Sequence, residues 1–359
     1  MFQRTSLAAL RRSFTLLAIS AALFACSSDN DDEIKIQTYN SPLLLNFTSD
    51  RTTGVLRWMD PNSTSLFSGE MLFDQDSKVF ANGKDIFVLE RKNLGATNIL
   101  SCMQADKIGS ETPKQAVLED LSNPYEIAVI GNKGYIAMYD LDYVQEFDPA
   151  TCLLGEKIDL PIIQANAVSI KASGDILLVI AQRLEFYAAT KPGLLIRINA
   201  STKALIDTIQ LNFYNPGSSV LSNGKLYISS VDDYFSFANA GIEVVDLAAG
   251  ISEILVTGAE LGGGANYIAL DEANQILYVS VMDSDYNTPV KSLTLSNKAI
   301  SADLPGIISS FGGFLLDSET GRLFIADATG LKIYDTASQQ AISVSGDALP
   351  PTSLAIARW

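Results

Sequence analysis

The sequence has 359 residues, with 41 acidic against 25 basic side chains, a net charge of −16 at neutral pH and no histidine. A chain with this negative charge repels the phosphate backbone of DNA and RNA, so we expect no nucleic-acid partner. Without histidine there is no Ser-His-Asp or Cys-His nucleophile system and no histidine-ligated zinc or haem. Catalysis would have to depend on carboxylates, lysine, tyrosine or an added cofactor. We therefore expect a non-catalytic protein without a cofactor.

The first 25 residues have the features of an export signal. Three arginines precede an apolar stretch at 14–25, which is too short to span a bilayer. The stretch ends in LFAC at 23–26, which resembles the bacterial lipobox, and the resemblance implies that Cys26 is lipidated. An ordinary secretory signal cleaved near Ala25 is the alternative, and the RRSF at 11–14 leaves both general secretion and twin-arginine export open.

Residues 26–40 begin with CSSDNDDE, a polar and acidic stretch that is typical of a tether. A lipidated Cys26 followed by such a tether predicts attachment to the outer membrane of a bacterial envelope, with the protein on either the periplasmic or the surface side. After residue 25 no stretch reaches the roughly 18 uninterrupted apolar residues of a membrane helix. The lipid is therefore the expected contact with the membrane.

One strand-like pattern recurs through the rest of the chain. A turn rich in Gly or Asn is followed by an aromatic residue or Leu and then by Ile or Val, at 82–90, 132–140, 173–181, 223–232, 273–283 and 320–328. The anchor residues of these stretches lie 43 to 51 residues apart, and they are Phe87, Tyr135, Leu178, Tyr227, Tyr278 and Phe324. Leu45 extends the series to seven. Further strand patterns before and after each anchor give four short strands per repeat, which predicts an all-β fold, a β-propeller.

The two ends of the chain fit a closed ring. The first repeat begins directly with its second strand, LLLNF at 43–47, whereas the C-terminal stretch 352–359 matches a first strand with no second strand after it. We predict that 352–359 pairs beside Leu44, which closes a propeller of seven four-stranded blades over residues 41–359 and removes two open sheet edges. A propeller of six or eight blades remains an alternative, because the sequence pattern of the fourth strand in each repeat is weak.

Two stretches, LIRINASTKALIDTIQL at 195–211 and GKLYISSV at 224–231, resemble the YVTN-type propellers. These are bacterial extracytoplasmic proteins with seven blades. The resemblance implies the fold and the envelope location, but no particular activity, because one fold supports many functions.

Acid-and-tyrosine stretches follow the second strand of three repeats, as YDLDY at 139–143, VDDYF at 231–235 and DSDYN at 283–287, and QRLEFYAATKPG at 182–193 holds the same place in a fourth. In propellers these loops surround one mouth of the central channel. Tyrosine offers broad contact area and aspartate offers hydrogen-bond acceptors, so the loops could form a binding surface. The candidate ligand-binding residues are Asp140, Asp142, Tyr143, Arg183, Tyr187, Asp232, Asp233, Tyr234, Asp283, Asp285 and Tyr286. The alternative is structural, with the aspartates capping their loops and the tyrosines covering strand edges.

Besides Cys26 the chain has two cysteines, Cys102 and Cys152, about one repeat apart. In an oxidising compartment they could form a disulfide between neighbouring blades, and two buried thiols are the alternative. Paired aspartates could bind calcium, but no calcium loop of the helix–loop–helix type is present, so we expect no metal. The glycines of GGGANY at 262–267 could let a ligand approach the backbone.

Three functions are compatible with these features. The first is a non-catalytic lipoprotein that binds a small molecule or a glycan on its loop face and could deliver it to a transporter. The second is a scaffold that docks another envelope protein. The third is a metal-dependent hydrolase of the lactonase type, with carboxylates in the channel. We expect the first, because the acid-and-tyrosine loops could form a binding surface, whereas the missing histidine argues against most catalytic schemes.

Overall fold

The computed structural model describes residues 39–49, 52–63, 68–91, 98–233, 236–344 and 351–359, apart from the side chain of Phe311. The predicted signal peptide, Cys26 and Tyr234 lie outside the described residues. Tyr39, which we assigned to the tether, packs edge-on against Trp58 at a centroid distance of 6.0 Å. The folded part of the chain therefore includes the end of the predicted tether.

The described residues form 27 strands. The first fifteen are β1 (Leu43–Ser49), β2 (Gly54–Met59), β3 (Gly69–Phe73), β4 (Ser77–Asn82), β5 (Asp85–Glu90), β6 (Ile99–Gln104), β7 (Lys114–Val117), β8 (Pro124–Ile130), β9 (Lys133–Met138), β10 (Tyr143–Phe147), β11 (Leu154–Asp159), β12 (Ala167–Ser173), β13 (Ile176–Ala181), β14 (Pro192–Asn199) and β15 (Leu205–Tyr214). The others are β16 (Pro216–Ser222), β17 (Lys225–Ser230), β18 (Gly241–Asp246), β19 (Ile251–Thr257), β20 (Gly264–Asp271), β21 (Ile276–Met282), β22 (Val290–Thr294), β23 (Ser310–Asp317), β24 (Arg322–Asp327), β25 (Gly330–Asp335), β26 (Gln340–Ser343) and β27 (Pro351–Ala357). A helix α1 (Gly258–Leu261) and a 3-10 turn at Ala105–Lys107 complete the described elements. In this part of the chain no helix has the length and apolar character to cross a membrane.

The strands form seven antiparallel sheets, which confirms the predicted seven-bladed β-propeller. Blade 1 consists of β27, β1, β2 and β3, and blades 2 to 5 take the next sixteen strands in groups of four. Blade 6 is β20–β22, with a single bridge between Leu293 and Ile300 in place of a regular fourth strand, and blade 7 is β23–β26. Within each blade we call the strands A to D from the channel outward.

The C-terminal strand closes the ring as predicted. β27 pairs antiparallel with β1, with Leu44 opposite Ile356 and Leu45 opposite Ala355. The A strands β27, β4, β8, β12, β16, β20 and β23 contact one another in turn around the channel. Pairing the last strand with the first blade leaves no open edge at the junction between the two chain ends.

The core consists of one apolar layer at each interface between blades. Alternate side chains of a strand point to opposite faces, so a B strand between two neighbours needs apolar residues at every position. In β5, Ile86 and Val88 pack toward blade 1, whereas Phe87 and Leu89 pack toward blade 3. Seven such clusters of buried residues, one per interface, are present among the described residues. This is the physical reason for the nearly continuous apolar runs that mark each repeat.

Cys102 on β6 and Cys152 in the loop between β10 and β11 form a disulfide, with 5.7 Å between their Cα atoms. Both residues belong to the apolar layer between blades 2 and 3. The bond therefore links the C strand of one blade to the C–D loop of the next.

Candidate functional site

The loops named from the sequence lie together on one face of the ring. Each A strand begins, and each B strand ends, at this side, so the B–C loops and the D–A loops share it. We call this side the loop face. The acid-and-tyrosine stretches are B–C loops of blades 3, 5 and 6, and 182–191 is the B–C loop of blade 4.

At the loop face the channel widens into a cavity of about 280 Å³. The first residues of the A strands supply most of its lining, and all seven blades contribute. The lining residues are Lys78, Val79, Phe80, Tyr125, Glu126, Val168, Gln182, Asn215, Gly217, Ser218, Val231, Asn266, Tyr267, Gly312, Gly313, Phe314, Thr352, Ser353 and Leu354. Its lining is mixed, with polar side chains such as Lys78, Gln182 and Asn266 beside apolar ones. Small-molecule sites are concave and combine apolar walls with a few placed polar groups.

One side of this cavity carries an aromatic pair and a lysine. The rings of Tyr125 and Tyr139 stack with a centroid distance of 5.4 Å and an interplanar angle of 30°. The ammonium of Lys78 lies 3.5 Å from the centre of the Tyr125 ring, and the Arg91 guanidinium lies 5.0 Å from the same point. The negative faces of aromatic rings attract cations, so Tyr125 stabilises both charges.

Lys78 has a strongly perturbed pKa. Desolvation in the channel is the largest cause, repulsion from Arg91 is the next, and together they lower the pKa from 10.5 to about 7. Attraction to Glu126 and Asp76 opposes this change only in part. Such a lysine titrates near neutral pH, which is a common property of residues at functional sites.

Hydrogen bonds fix the groups around Lys78. Arg91 donates to the carboxylate of Asp76 at 2.5 Å. Tyr139 donates its O–H to Oε1 of Gln182 at 2.7 Å, and Gln182 donates to the carbonyl of Pro216 at 2.8 Å. The two hydrogen bonds of Gln182 join blades 3, 4 and 5 around the cavity. The stacked rings of Tyr125 and Tyr139 are therefore held in place before any ligand arrives.

Glu126 joins blade 3 to blade 4 beside the cavity. Its carboxylate accepts hydrogen bonds from Ser169 Oγ at 2.5 Å, from the Ile170 amide at 2.7 Å and from Lys171 Nζ at 2.6 Å. Ser169 Oγ in turn lies 2.8 Å from Ser219 Oγ on blade 5. The carboxylate is therefore fully engaged by its neighbours.

In the loop of blade 3, the predicted residues have mainly structural contacts. Tyr143 is only 8% exposed, and its O–H donates to Glu119 at 2.8 Å while the Lys157 ammonium lies 4.4 Å from its ring centre. Burial and the adjacent Glu119 raise the pKa of Tyr143. Asp142 accepts the Ala165 amide at 2.9 Å, which ties this loop to the next blade. Asp140 is the exposed member of the three.

The loop of blade 4 exposes two aromatic residues. Phe186 is 96% exposed and Tyr187 is 80% exposed, both with positive φ angles, 50° and 65°. Arg183 also has a positive φ, 60°, and donates to the carbonyl of Pro192 at 3.2 Å. Positive φ is unfavourable for residues with a side chain, so these residues keep their backbone conformation at a cost in stability.

In blade 5, Asp232 is 2% exposed and accepts the Asn239 amide at 2.8 Å. Burial raises the pKa of Asp232, although its hydrogen bonds to Asn239 act to lower it. Asp233 is exposed and accepts the Ser236 amide at 2.6 Å. These contacts close the loop onto itself, as expected of a cap.

In blade 6, Asp283 caps its own loop in the same way. Its Oδ1 accepts the amides of Asp285 and Asn287, both at 2.9 Å. Partial burial acts to raise its pKa, but the hydrogen bonds, chiefly from Asn287, outweigh it, so the pKa is lowered. Tyr286 and Asp285 are exposed, and Tyr286 has a φ of 64°.

The predicted residues therefore divide into two groups. Of those that the structure describes, Asp142, Tyr143, Arg183, Asp232 and Asp283 make contacts that hold loops together, whereas Asp140, Tyr187, Asp233, Asp285 and Tyr286 are accessible on the loop face. Neither group lines the cavity. The ligand-binding role of the accessible residues stays a prediction. In the described part of the chain no three His, Cys, Asp or Glu side chains converge as a metal site would require.

Most residues of the cavity, including Lys78 and Tyr125, were missed by reasoning from the sequence. The predicted site consists of B–C loops, whereas the cavity is built mainly from the first residues of the A strands. The signal was present in NPYEIAVIG at 123–131, where Tyr125 and Glu126 interrupt an A strand that is otherwise apolar. Of the GGGANY stretch, Asn266 and Tyr267 line the cavity. Gly263 does not admit a ligand, because a Cβ there would meet the Met282 carbonyl at 2.2 Å.

No protein-family model matches this chain, and no curated protein sequence is significantly similar to it. Solved structures do resemble it. Hydrazine synthase of Kuenenia stuttgartiensis superposes with a TM-score of 0.64 at 12% identity, over 82% of this chain and 95% of that one. A functionally unknown protein of Desulfotomaculum acetoxidans gives 0.60 at 12% identity, over 89% and 99% of the two chains. Apo AztD of Citrobacter koseri gives 0.58 at 11% identity, over 88% and 97%.

These similarities show the fold alone. At 11–12% identity they carry no information on substrate or partner. The seven-bladed propeller implied by the YVTN resemblance is confirmed, whereas the YVTN type and the lipoprotein assignment stay predictions, because no family model matches.

Proposed function

We propose that this protein is a non-catalytic binding protein of the bacterial envelope, which holds a small molecule in the cavity at the loop face of its channel. The observation that carries the proposal is the cavity itself, lined by the A strands of all seven blades. Binding sites for small molecules are usually preformed and orient the ligand with a few fixed polar groups. The hydrogen-bonded pair of Tyr139 and Gln182 gives such fixed groups at its edge.

The size of the cavity limits the ligand. A volume of about 280 Å³ suits a small metabolite or one sugar unit and is too small to enclose a large chelate. A larger molecule would have to lie on the accessible loop residues and insert only one group. Delivery to a transporter is compatible with either arrangement. Attachment to the outer membrane through Cys26 is part of the proposal and rests on the lipobox-like sequence at 23–26.

Gly217 offers a direct test. A Cβ at this cavity-lining position would meet its nearest atom, the Asn266 carbonyl oxygen, only at 3.8 Å. Gly217→Phe should therefore fill the cavity without straining the strand. The matched control is Asn132→Phe in the exposed A–B turn on the opposite face.

The experiment is native mass spectrometry of the full-length protein, gently purified from the envelope of the cells that produce it. The wild type and Asn132→Phe are expected to retain a small molecule at one per chain, and Gly217→Phe is expected to lose it. A protein that retains nothing, or a small molecule that survives Gly217→Phe, would contradict the proposed site.

A second function has its own supporting observation. Six large apolar side chains are exposed on the loop face, and they are Leu121, Ile163, Phe186, Tyr187, Tyr286 and Ile308. They are six of the sixteen exposed large apolar side chains among the described residues, and exposed apolar groups in neighbouring loops can form a protein interaction surface. The scaffold alternative predicts that a protein co-purifies in stoichiometric amount and is lost in the double variant Phe186→Ser/Tyr187→Ser. For the lactonase alternative, by contrast, no observation in the described part of the chain offers a metal site.

A further inference from the structure

We propose that the cavity selects small organic anions of the monocarboxylate class, which bind against Lys78. This inference rests on the proposed function, because it names the class of molecule that the cavity holds. It depends on the charges that line the cavity and on how they are paired.

Lys78 is the cation without a carboxylate partner. Of the lining residues only Lys78 and Glu126 are charged, and Glu126 is paired with Lys171 at 2.6 Å. Arg91, just outside the lining, is paired with Asp76 at 2.5 Å. Within the described residues no carboxylate oxygen lies within 4 Å of the Lys78 ammonium, whose contact is the face of Tyr125. The cations Lys78, Arg91 and Lys171 therefore outnumber the carboxylates Asp76 and Glu126 by one positive charge, and Lys78 is the cation that no carboxylate contacts directly.

The remaining walls cannot neutralise this charge. The A strands of blades 1, 5, 6 and 7 contribute only apolar side chains, backbone and the neutral groups of Ser218, Asn266, Tyr267, Thr352 and Ser353. These groups can donate or accept hydrogen bonds, but they carry no charge. A bound anion would restore to Lys78 the favourable electrostatic interaction that it lost when it was removed from water.

The rest of the molecule limits the charge of the ligand. The net charge of −16 produces a negative field that disfavours the approach of multivalent anions. A single carboxylate matches the single excess charge. A neutral ligand would leave Lys78 uncompensated, and a cation would be repelled by it at short range.

Binding should be coupled to protonation of Lys78. The charged and titratable groups that face it are Arg91 and Asp76 from its own blade, Tyr125 and Glu126 from β8, and Lys171 from β12. In the free protein the pKa of Lys78 is about 7. A bound carboxylate raises that pKa, so the affinity is highest below pH 7 and falls as the pH rises. If the complex keeps the proton, affinity falls up to about thirtyfold between about pH 6 and about pH 8.5.

The test is calorimetric titration of the full chain with two probes of similar shape, benzoate and neutral benzamide. The variants are Lys78→Met, which removes the charge, and Lys78→Arg, which keeps a charge that does not titrate. Lys225→Met, at an exposed position on β17, is the matched control. Each protein is measured at about pH 6 and about pH 8.5, on either side of the Lys78 titration.

We expect one benzoate per chain at about pH 6, with affinity at least about tenfold above that of benzamide, and weaker binding at about pH 8.5. Lys78→Met should lose this preference, Lys78→Arg should keep benzoate binding without its pH dependence, and Lys225→Met should behave as the wild type. Equal binding of the two probes, unchanged binding in Lys78→Met, or no benzoate binding at about 20 mM would overturn the inference.

The outcomes also separate this inference from the proposed function. If benzamide binds as well as benzoate and Gly217→Phe abolishes both, the cavity holds small molecules but Lys78 does not select anions. If neither probe binds and the purified protein retains a neutral molecule, the same conclusion follows. If no small molecule binds under any condition, both proposals are wrong.

Discussion

The Lys78 ammonium and the Tyr125 ring, 3.5 Å apart, belong to the A strands of neighbouring blades. Their contact places a cation inside the channel of an acidic protein. Because the pKa of Lys78 falls from 10.5 to about 7 on folding, the unfolded chain binds this proton more tightly than the folded one between these two values. Stability should therefore rise with pH across that window.

Lys78→Met should make the protein more stable below pH 7, where the cost of the buried charge is fully present. We expect the free energy of unfolding to increase by roughly 1–3 kcal/mol there. This gain shrinks as the pH rises toward 10.5, the pKa of Lys78 in the unfolded chain. The measurement is urea unfolding of both proteins at several pH values, with Lys225→Met as the control. A difference that does not change with pH would show that Lys78 is not desolvated.

The disulfide between Cys102 and Cys152 closes a loop of 50 residues between two blades. By the loop-entropy relation, Cys102→Ser/Cys152→Ser should lower the free energy of unfolding by about 4 kcal/mol under oxidising conditions. The wild type treated with a reductant should lose a similar amount, whereas the double variant should not respond to the reductant. An equal urea midpoint for the oxidised wild type and the double variant would contradict the structural role of this bond.

Tyr143 and Tyr286 hold similar places in the sequence but should respond differently to substitution. Tyr143 is buried and donates to Glu119, so Tyr143→Ala should cost about 3–5 kcal/mol of stability. Tyr286 is exposed, so Tyr286→Ala should change stability by no more than about 0.5 kcal/mol. Thermal unfolding of the two variants checks this. Equal losses would mean that Tyr286 is buried in solution.

Ring closure by β27 should be essential for folding. Removal of residues 351–359 exposes the edge of β1 and opens the contacts of β27 with β4 and β23. We expect the shortened chain to aggregate and to lose its cooperative unfolding, because the exposed edge of β1 can pair with other chains. Removal of Trp359 alone, which is partly exposed, is the control. A shortened chain that unfolds cooperatively as a monomer would refute this role.

The propeller could be predicted from the sequence because its stabilising interactions repeat. Each B strand, such as β5 with Ile86 and Phe87, is packed on both faces, so each repeat contains an apolar run of the same length. The sequence also indicated the ring closure, because the first repeat lacks its first strand and the last stretch, around Ala355, matches a first strand. The two strands pair in the structure, with Leu45 opposite Ala355.

The cavity could not be predicted in the same way. Lys78 and Tyr125 are 47 residues apart in the sequence and meet only because β4 and β8 are neighbours in the ring. Nothing in the residues beside Lys78 indicates that its ammonium lacks a carboxylate. The loop aspartates recur in the sequence, but recurrence does not separate binding from structural residues, since Asp232 and Asp283 cap their loops.

Hydrogen–deuterium exchange of the full-length protein with and without benzoate, at about pH 6, tests most directly whether the ligand lies in the channel. The inner edge of each A strand pairs with no further strand, so its amides should exchange more slowly when the ligand covers them, apart from Val79, whose amide already donates to Ser353 Oγ at 3.1 Å. We predict protection at 77–81, 124–127 and 216–219, with no protection in Lys78→Met. Protection confined to the exposed loops at 183–188 and 283–287 would contradict the account.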